Sequence, residues 1–196
     1  DYVNPFVGTD GYGNVYPGAQ IPFGGIQMSP DTDSRFYDAA SGYKYNHLTL
    51  MGFSLTHLSG TGIPDLGDFL FIPGTGEMKL EPGTHEDPDK GYRSRYSHDK
   101  EWASPNYYAV ELADYGVKAE MTSGVRSGMF RFTYPESDSA FIMIDMNHTL
   151  WQSCEWSNLR MINDSTITGY KLVKGWGPER HAVSYTHLRA HETKAN

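Results

Sequence analysis

The chain of 196 residues carries a formal charge of −8, with 38% apolar, 20% charged and 14% aromatic residues, enough for one packed domain. No Lys/Arg run marks a nucleic-acid or membrane-surface patch, and no apolar run reaches the ~18 residues of a membrane span. The single Cys154 excludes an internal disulfide and a thiolate zinc site, and is expected to be a small buried apolar residue.

With 21 Gly and 11 Pro beside the aromatics, short strands joined by turns are expected rather than long helices. The first residue is Asp1 rather than Met, so a processed or trimmed start is expected. Residues 1–35 read as loops and turns, broken by Gly8, Gly11, Gly13, Gly18, Gly24 and Gly25 and by Pro5, Pro17, Pro22 and Pro30. Residues 47–58 are apolar and partly alternating, which predicts a strand. A short strand over Asp68 to Ile72 is predicted to end at Pro73-Gly74.

Residues 74–106 are polar and turn-rich, and a row of predicted strands follows. These cover Tyr107 to Leu112, Val117 to Thr122, Gly128 to Tyr134, Phe141 to Met146 and Thr166 to Lys171. In the third, Phe130, Phe132 and Tyr134 share one face and Arg131 and Thr133 the other, the period of a half-buried antiparallel strand. The fold class expected is therefore all-β, an antiparallel β-sandwich. The pattern stops near residue 182. Residues 183–196 lose the Gly/aromatic idiom, resemble read-through of adaptor DNA, and are expected to be a non-native tail to a domain over 1–182.

Motifs for other chemistries are missing from the sequence. It has no Walker-type phosphate loop, no His-Glu-x-x-His and no Gly-x-Ser-x-Gly elbow. Asp31-Thr-Asp33 begins like a calcium loop, but Arg35 occupies a ligand position and the required Gly and Glu are absent. A glycosidase needs two carboxylates across the scissile bond. Asp31, Asp33, Asp38, Asp65 and Asp68 are available, but they stand in turns, where Asp caps local N–H groups. His57, His98 and Glu101 read as structural, hydrogen-bonded residues.

Long ordered strings then carry a family resemblance. They are Val3-Asn-Pro-Phe-Val-Gly-Thr9, Tyr16-Pro-Gly-Ala19, Pro22-Phe-Gly24, Gln27-Met-Ser-Pro-Asp-Thr32 and Ser41-Gly-Tyr-Lys-Tyr45. Further along come Gly52-Phe-Ser-Leu-Thr-His-Leu-Ser-Gly-Thr-Gly62, Ser97-His-Asp-Lys-Glu101, Gly169-Tyr170 and Gly175-Trp176. Over residues 2 to 181 the chain resembles the N-terminal domain of glycoside hydrolase family 92, calcium-dependent exo-α-mannosidases. The resemblance implies a β-sandwich of the mutarotase-like supersandwich type, truncated at its C-terminal side and packed in the whole enzyme on a separate α-helical toroid.

By the same resemblance the toroid holds the catalytic acid and base and the calcium. None of the catalytic residues, and no bound calcium or other metal, is then expected here. The implied partners are a mannose-containing glycan and the missing toroid, with no nucleic acid. The implied location is secreted, periplasmic or at the cell surface, with hydrolysis of non-reducing-end α-mannosides by inversion. Alignment on Ser41-Gly42-Tyr43 puts Tyr37 at the position of a sugar-stacking Trp and Asp38 at an Asp, with Ala40 replacing a Cys. A Gly-His-Gly-His loop becomes Gly11-Tyr12-Gly13-Asn14. Tyr37, Asp38, Tyr12, Gly13 and Asn14 are thus the expected sugar contacts, and a free-standing carbohydrate-binding module is the alternative reading.

Overall fold

The computed structural model describes residues 2–35, 37–174 and 180–187, with backbone alone for Asp38 and for 180–187. Thirteen strands are present among them: β1 Ser29–Asp31, β2 Thr49–Leu50, β3 Gly52–Ser54, β4 Leu70–Gly74, β5 Ser94–Arg95, β6 Glu101–Ser104, β7 Tyr107–Leu112, β8 Val117–Ser123, β9 Gly128–Thr133, β10 Phe141–Asp145, β11 Ser153–Asn163, β12 Thr166–Lys174 and β13 Arg180–His187. The helical content is limited to single 3-10 turns at Tyr37–Ala39, Pro88–Lys90 and His98–Lys100.

All strand pairs are antiparallel and form four sheets, β1-β3-β4-β10, β6-β7-β8-β9, β2-β5 and β11-β12-β13. The two four-stranded sheets face each other through aromatic rings. Phe53 on β3 lies 6.2 Å from both Phe130 and Phe132 on β9, and Phe71 on β4 lies 5.2 Å from Phe130. Val110, Val117, Ala119 and Met121 alternate inward from β7 and β8 and complete this core with Tyr43, Leu50 and Tyr108. Apolar burial of this kind contributes roughly 25 cal/mol per Å², so the facing rings set the separation of the layers.

The structure departs from the expected elements where period-2 alternation fails. The stretch 47–58 divides into β2 and β3, which enter different sheets. Pro73 lies inside β4 opposite Ile142 rather than ending it. β3 meets β4 only at Phe53↔Phe71, so at Pro73 the strand has one neighbour and the absent N–H costs no ladder bond. β5 and β6 fall in the segment read as turns. β11 was not visible in the sequence because most of its side chains are exposed and bulges interrupt its register at Cys154/Trp156 and Met161/Asn163. Cys154 on that strand is half-buried and free, not a core residue.

β13 pairs with β12 as far as Thr166↔His187, so residues 183–187 of the segment set apart as a tail continue a strand. Residues 188–196, and Gly175-Trp176 of the last family string, lie outside the described residues.

Phe53 is fully buried between the layers. Phe53→Ala is expected to lower stability by about 3–5 kcal/mol, read as a drop in the urea midpoint with unchanged slope. A loss below about 1 kcal/mol would show that the two sheets are not held by this contact.

Candidate functional site

Strand β1 ends at Asp31, the first of three successive buried polar residues with Thr32 and Asp33. The Asp31 carboxylate is closed from solvent and lies 2.8 Å from Nε2 of His57 through Oδ1 and 2.8 Å from Nε2 of His148 through Oδ2. Nδ1 of His57 lies 2.6 Å from the carbonyl of Gln27. Both nitrogens of His57 therefore lie within hydrogen-bond distance of oxygen atoms on other segments. Burial alone would push the Asp31 carboxyl up, but the charge and hydrogen bonds of the two histidines outweigh it and hold the group well below the usual carboxylate range.

These contacts join segments far apart in sequence. His57 comes from the connection after β3 and His148 from the connection after β10. Lys171 on β12 donates to the carbonyl of His148 and stands 3.6 Å from Asp68. Gly42 touches the same carboxylate. Its φ is +82°, and a Cβ there would come within 2.1 Å of Asp31 Oδ1, so no other residue fits in Ser41-Gly42-Tyr43.

Two of the loops named from the sequence meet on this frame. The Asn14 carbonyl accepts from Ser41 Oγ and, at 2.7 Å, from the Gly60 N–H, while Lys44 Nζ donates to the Gly11 carbonyl. Gly11 to Asn14 is thereby strapped to the segment that follows Tyr37. Tyr37 is 57% exposed and Tyr12 92% exposed, so both rings are open to a ligand. At Gly13 a Cβ would lie 2.1 Å from the Gly8 carbonyl, so the position requires glycine. Asn14 has φ +50° and a buried Oδ1 with no hydrogen-bond partner. Asp38 sits on the 3-10 turn with Tyr37, and its side chain lies outside the described residues.

Sequence reasoning missed two aromatic residues. Trp151 is 52% exposed, has φ +72° and packs against Tyr37 with ring centroids 5.2 Å apart. Phe23, in Pro22-Phe23-Gly24, is fully exposed at φ +60°. A bulky residue in the left-handed region costs on the order of 1–3 kcal/mol, and such strain concentrates at functional positions. Phe23 stands in one of the family strings but without an assigned role, and no local motif announces Trp151. Trp151 becomes notable only once the fold sets it beside Tyr37.

The remaining buried carboxylates are taken up by the fold. Glu101 accepts from Tyr43 and Tyr108 and lies 2.6 Å from Nδ1 of His98. Asp33 accepts from the Arg35 N–H at 2.8 Å. Burial raises its pKa, but contacts with His85 and Arg35 more than offset this and keep it below the usual range.

Comparison with known proteins places this arrangement among relatives. The model of the glycosyl hydrolase family 92 N-terminal domain matches residues 2–195. The chain is similar to the family GH92 alpha-mannosidase BT3965 from Bacteroides thetaiotaomicron, at 97% identity and a TM-score of 0.92, covering 93% of the chain and 25% of that protein. A structure of that protein in complex with mannoimidazole matches equally. The gh92 family glycosyl hydrolase ccman5 is 30% identical with a TM-score of 0.74, again over 93% of the chain and 25% of that protein. An uncharacterized secreted glycosidase of Arthroderma benhamiae is 29% identical over 140 residues, which are 70% of the chain and 18% of that protein. The chain thus spans about a quarter or less of the length of these relatives.

The folded-state pKa of Asp31 lies below the unfolded value of ~3.9. The stability it contributes is therefore present above about pH 4 and is lost as the pH falls through the folded value. Asp31→Asn is expected to be about 3–5 kcal/mol less stable than the parent at neutral pH by urea unfolding. The gap is expected to narrow as the pH drops below about 4. A gap that stays constant down to about pH 2.5 would contradict the charge-based account.

Proposed function

The chain belongs to glycoside hydrolase family 92, as sequence of its N-terminal domain, and from that membership we propose that it is the non-catalytic front part of an enzyme that removes non-reducing-end α-mannose from glycans with inversion. The observation that carries this reading is the near identity of the chain, over almost its full length, to part of a solved alpha-mannosidase. The exposed rings of Tyr37, Trp151 and Tyr12 support a role for this domain at the sugar. An aromatic face stacks on the apolar C–H face of a pyranose, and Tyr37 and Trp151 already brace each other at one edge. Asp38 and Asn14 are the polar groups assigned to sugar hydroxyls.

The catalytic acid and base are assigned to the helical domain outside this chain. The buried carboxylates of Asp31 and Glu101 support that division, because both are committed to histidine or tyrosine partners. Calcium requires six to eight oxygen ligands. Among the described residues the one metal-ligand cluster offers a single carboxylate and two imidazoles, which does not fit calcium, so that ion is assigned to the absent domain as well. Removal of mannose from N-glycans outside the cytoplasm suits a kinship that includes a secreted glycosidase.

The purified chain is expected to release no mannose from α-linked mannobiose or aryl α-mannoside, with or without calcium. In the enzyme that carries the remaining domain, Tyr37→Ala is expected to lower kcat/KM on disaccharides several-fold to tenfold, corresponding to about 1 kcal/mol of stacking. The effect should shrink on aryl mannosides, which lack the second sugar. Mannose release by the isolated chain would overturn the division of labour, and an equal effect on both substrates would remove Tyr37 from the leaving-group site.

A further inference from the structure

Beside the Asp31 network, a second polar cluster joins Asp33, His47 and His85. One ligand atom from each lies within 4.8 Å of the other two. Asp33 is buried, and its Oδ2 stands 3.3 Å from Nε2 of His85. Both atoms are closed from solvent, yet neither makes a hydrogen bond. A buried carboxylate oxygen and imidazole nitrogen joined by this ion-pair contact alone, with no further hydrogen bond, are incompletely satisfied.

The surroundings orient both rings. Thr32 Oγ1 lies 3.0 Å from Nδ1 of His47, and Thr49 Oγ1 lies 2.9 Å from Nδ1 of His85. The threonines are themselves fixed. Lys44 N–H donates to Thr32 Oγ1 at 2.9 Å, and Arg93 Nη1 donates to the Thr32 carbonyl at 2.6 Å and to Thr49 Oγ1 at 3.3 Å. Metal-binding histidines are held in this way, with the second ring nitrogen engaged by an oxygen.

We propose that Asp33, His47 and His85 form a binding site for one divalent metal ion of the zinc class. Bonds of about 2.0–2.1 Å in a tetrahedron set ligand atoms ~3.3 Å apart. That is the separation of Asp33 Oδ2 from His85 Nε2. His47 offers its ligand atom within 4.8 Å of the other two, and water takes the fourth position. Two imidazoles and one carboxylate suit zinc or a neighbouring transition metal, and one oxygen donor is too few for calcium or magnesium. The positive charges nearby do not close the site. Arg35 reaches only Oδ1 of Asp33, at 3.4 Å, and is half exposed, while Arg93 is turned to backbone and hydroxyl oxygens. The ion would fix the turn that leads into Tyr37 against the loop that carries His85. This site is independent of the calcium of the proposed mannosidase.

The test is zinc chloride titrated into the EDTA-stripped chain by calorimetry, with thermal unfolding read in parallel. One equivalent per chain is expected, with a higher Tm that EDTA reverses. Calcium and magnesium chloride should produce neither effect. His85→Gln and Asp33→Asn should each remove the stoichiometric binding, and Thr49→Ala should weaken it about 10–100-fold. His98→Gln, outside the cluster, should bind zinc like the parent. His85 is partly exposed, so His85→Gln should keep the parent circular dichroism and metal-free Tm. No stoichiometric zinc binding by the parent, or binding undiminished in His85→Gln, would overturn the proposal.

Discussion

A carboxylate without access to solvent stays charged only where its neighbours replace the water it has lost. For Asp31 the replacement comes from His57 and His148, each 2.8 Å away and each on a different connection between strands. The architecture around the site depends on that requirement. The group cannot be satisfied unless the connections after β3 and β10 both close over the end of β1, and Gly42 must pass close enough that no side chain fits. Lys171 then ties the third, β11-containing sheet to the same point through the His148 carbonyl. A charge that would be expensive alone thus serves to fix which loops meet.

The strand end that carries Asp31 serves a second purpose two residues on. Thr32 and Asp33 both donate their N–H groups to the Gly42 carbonyl, at 2.6 and 3.2 Å, and this pins the bend in which the two aspartates diverge. Asp31 turns to His57 and His148, and Asp33 to His85. Tyr37 follows directly on the next 3-10 turn. The exposed aromatic surface assigned to sugar is therefore mounted beside a segment cross-linked by several buried polar contacts. Stacking contacts are useful only when the ring is held in place, and this segment provides the hold.

The layered β fold was legible because β8 and β9 alternate in hydrophobicity and β7 and β10 are short apolar runs bounded by turn residues. β11 escaped because a strand held by its hairpin partner, exposed and twice bulged, has no reason to alternate. The site was legible only in pieces. The family strings named two loops that the structure brings together, and Tyr37 is exposed on one of them. The reason position 13 must be glycine is the Gly8 carbonyl beside it, a neighbour that residue type does not reveal. His57 was read as a structural histidine, and the structure makes it one. Its partner Asp31, the matching His148, and the meeting of Asp33, His47 and His85 are pairings across long loops, which local spacing does not encode.

The most direct measurement of the central claim is amide hydrogen exchange of the chain and of Asp31→Asn, compared by segment near neutral pH. If the buried carboxylate is what holds the loops together, three segments should lose protection in concert: 32–43, 55–68 and 147–152. β7 and β8, whose core is apolar, should remain protected. Faster exchange confined to the residues beside Asp31, with the other two segments unchanged, would contradict the account.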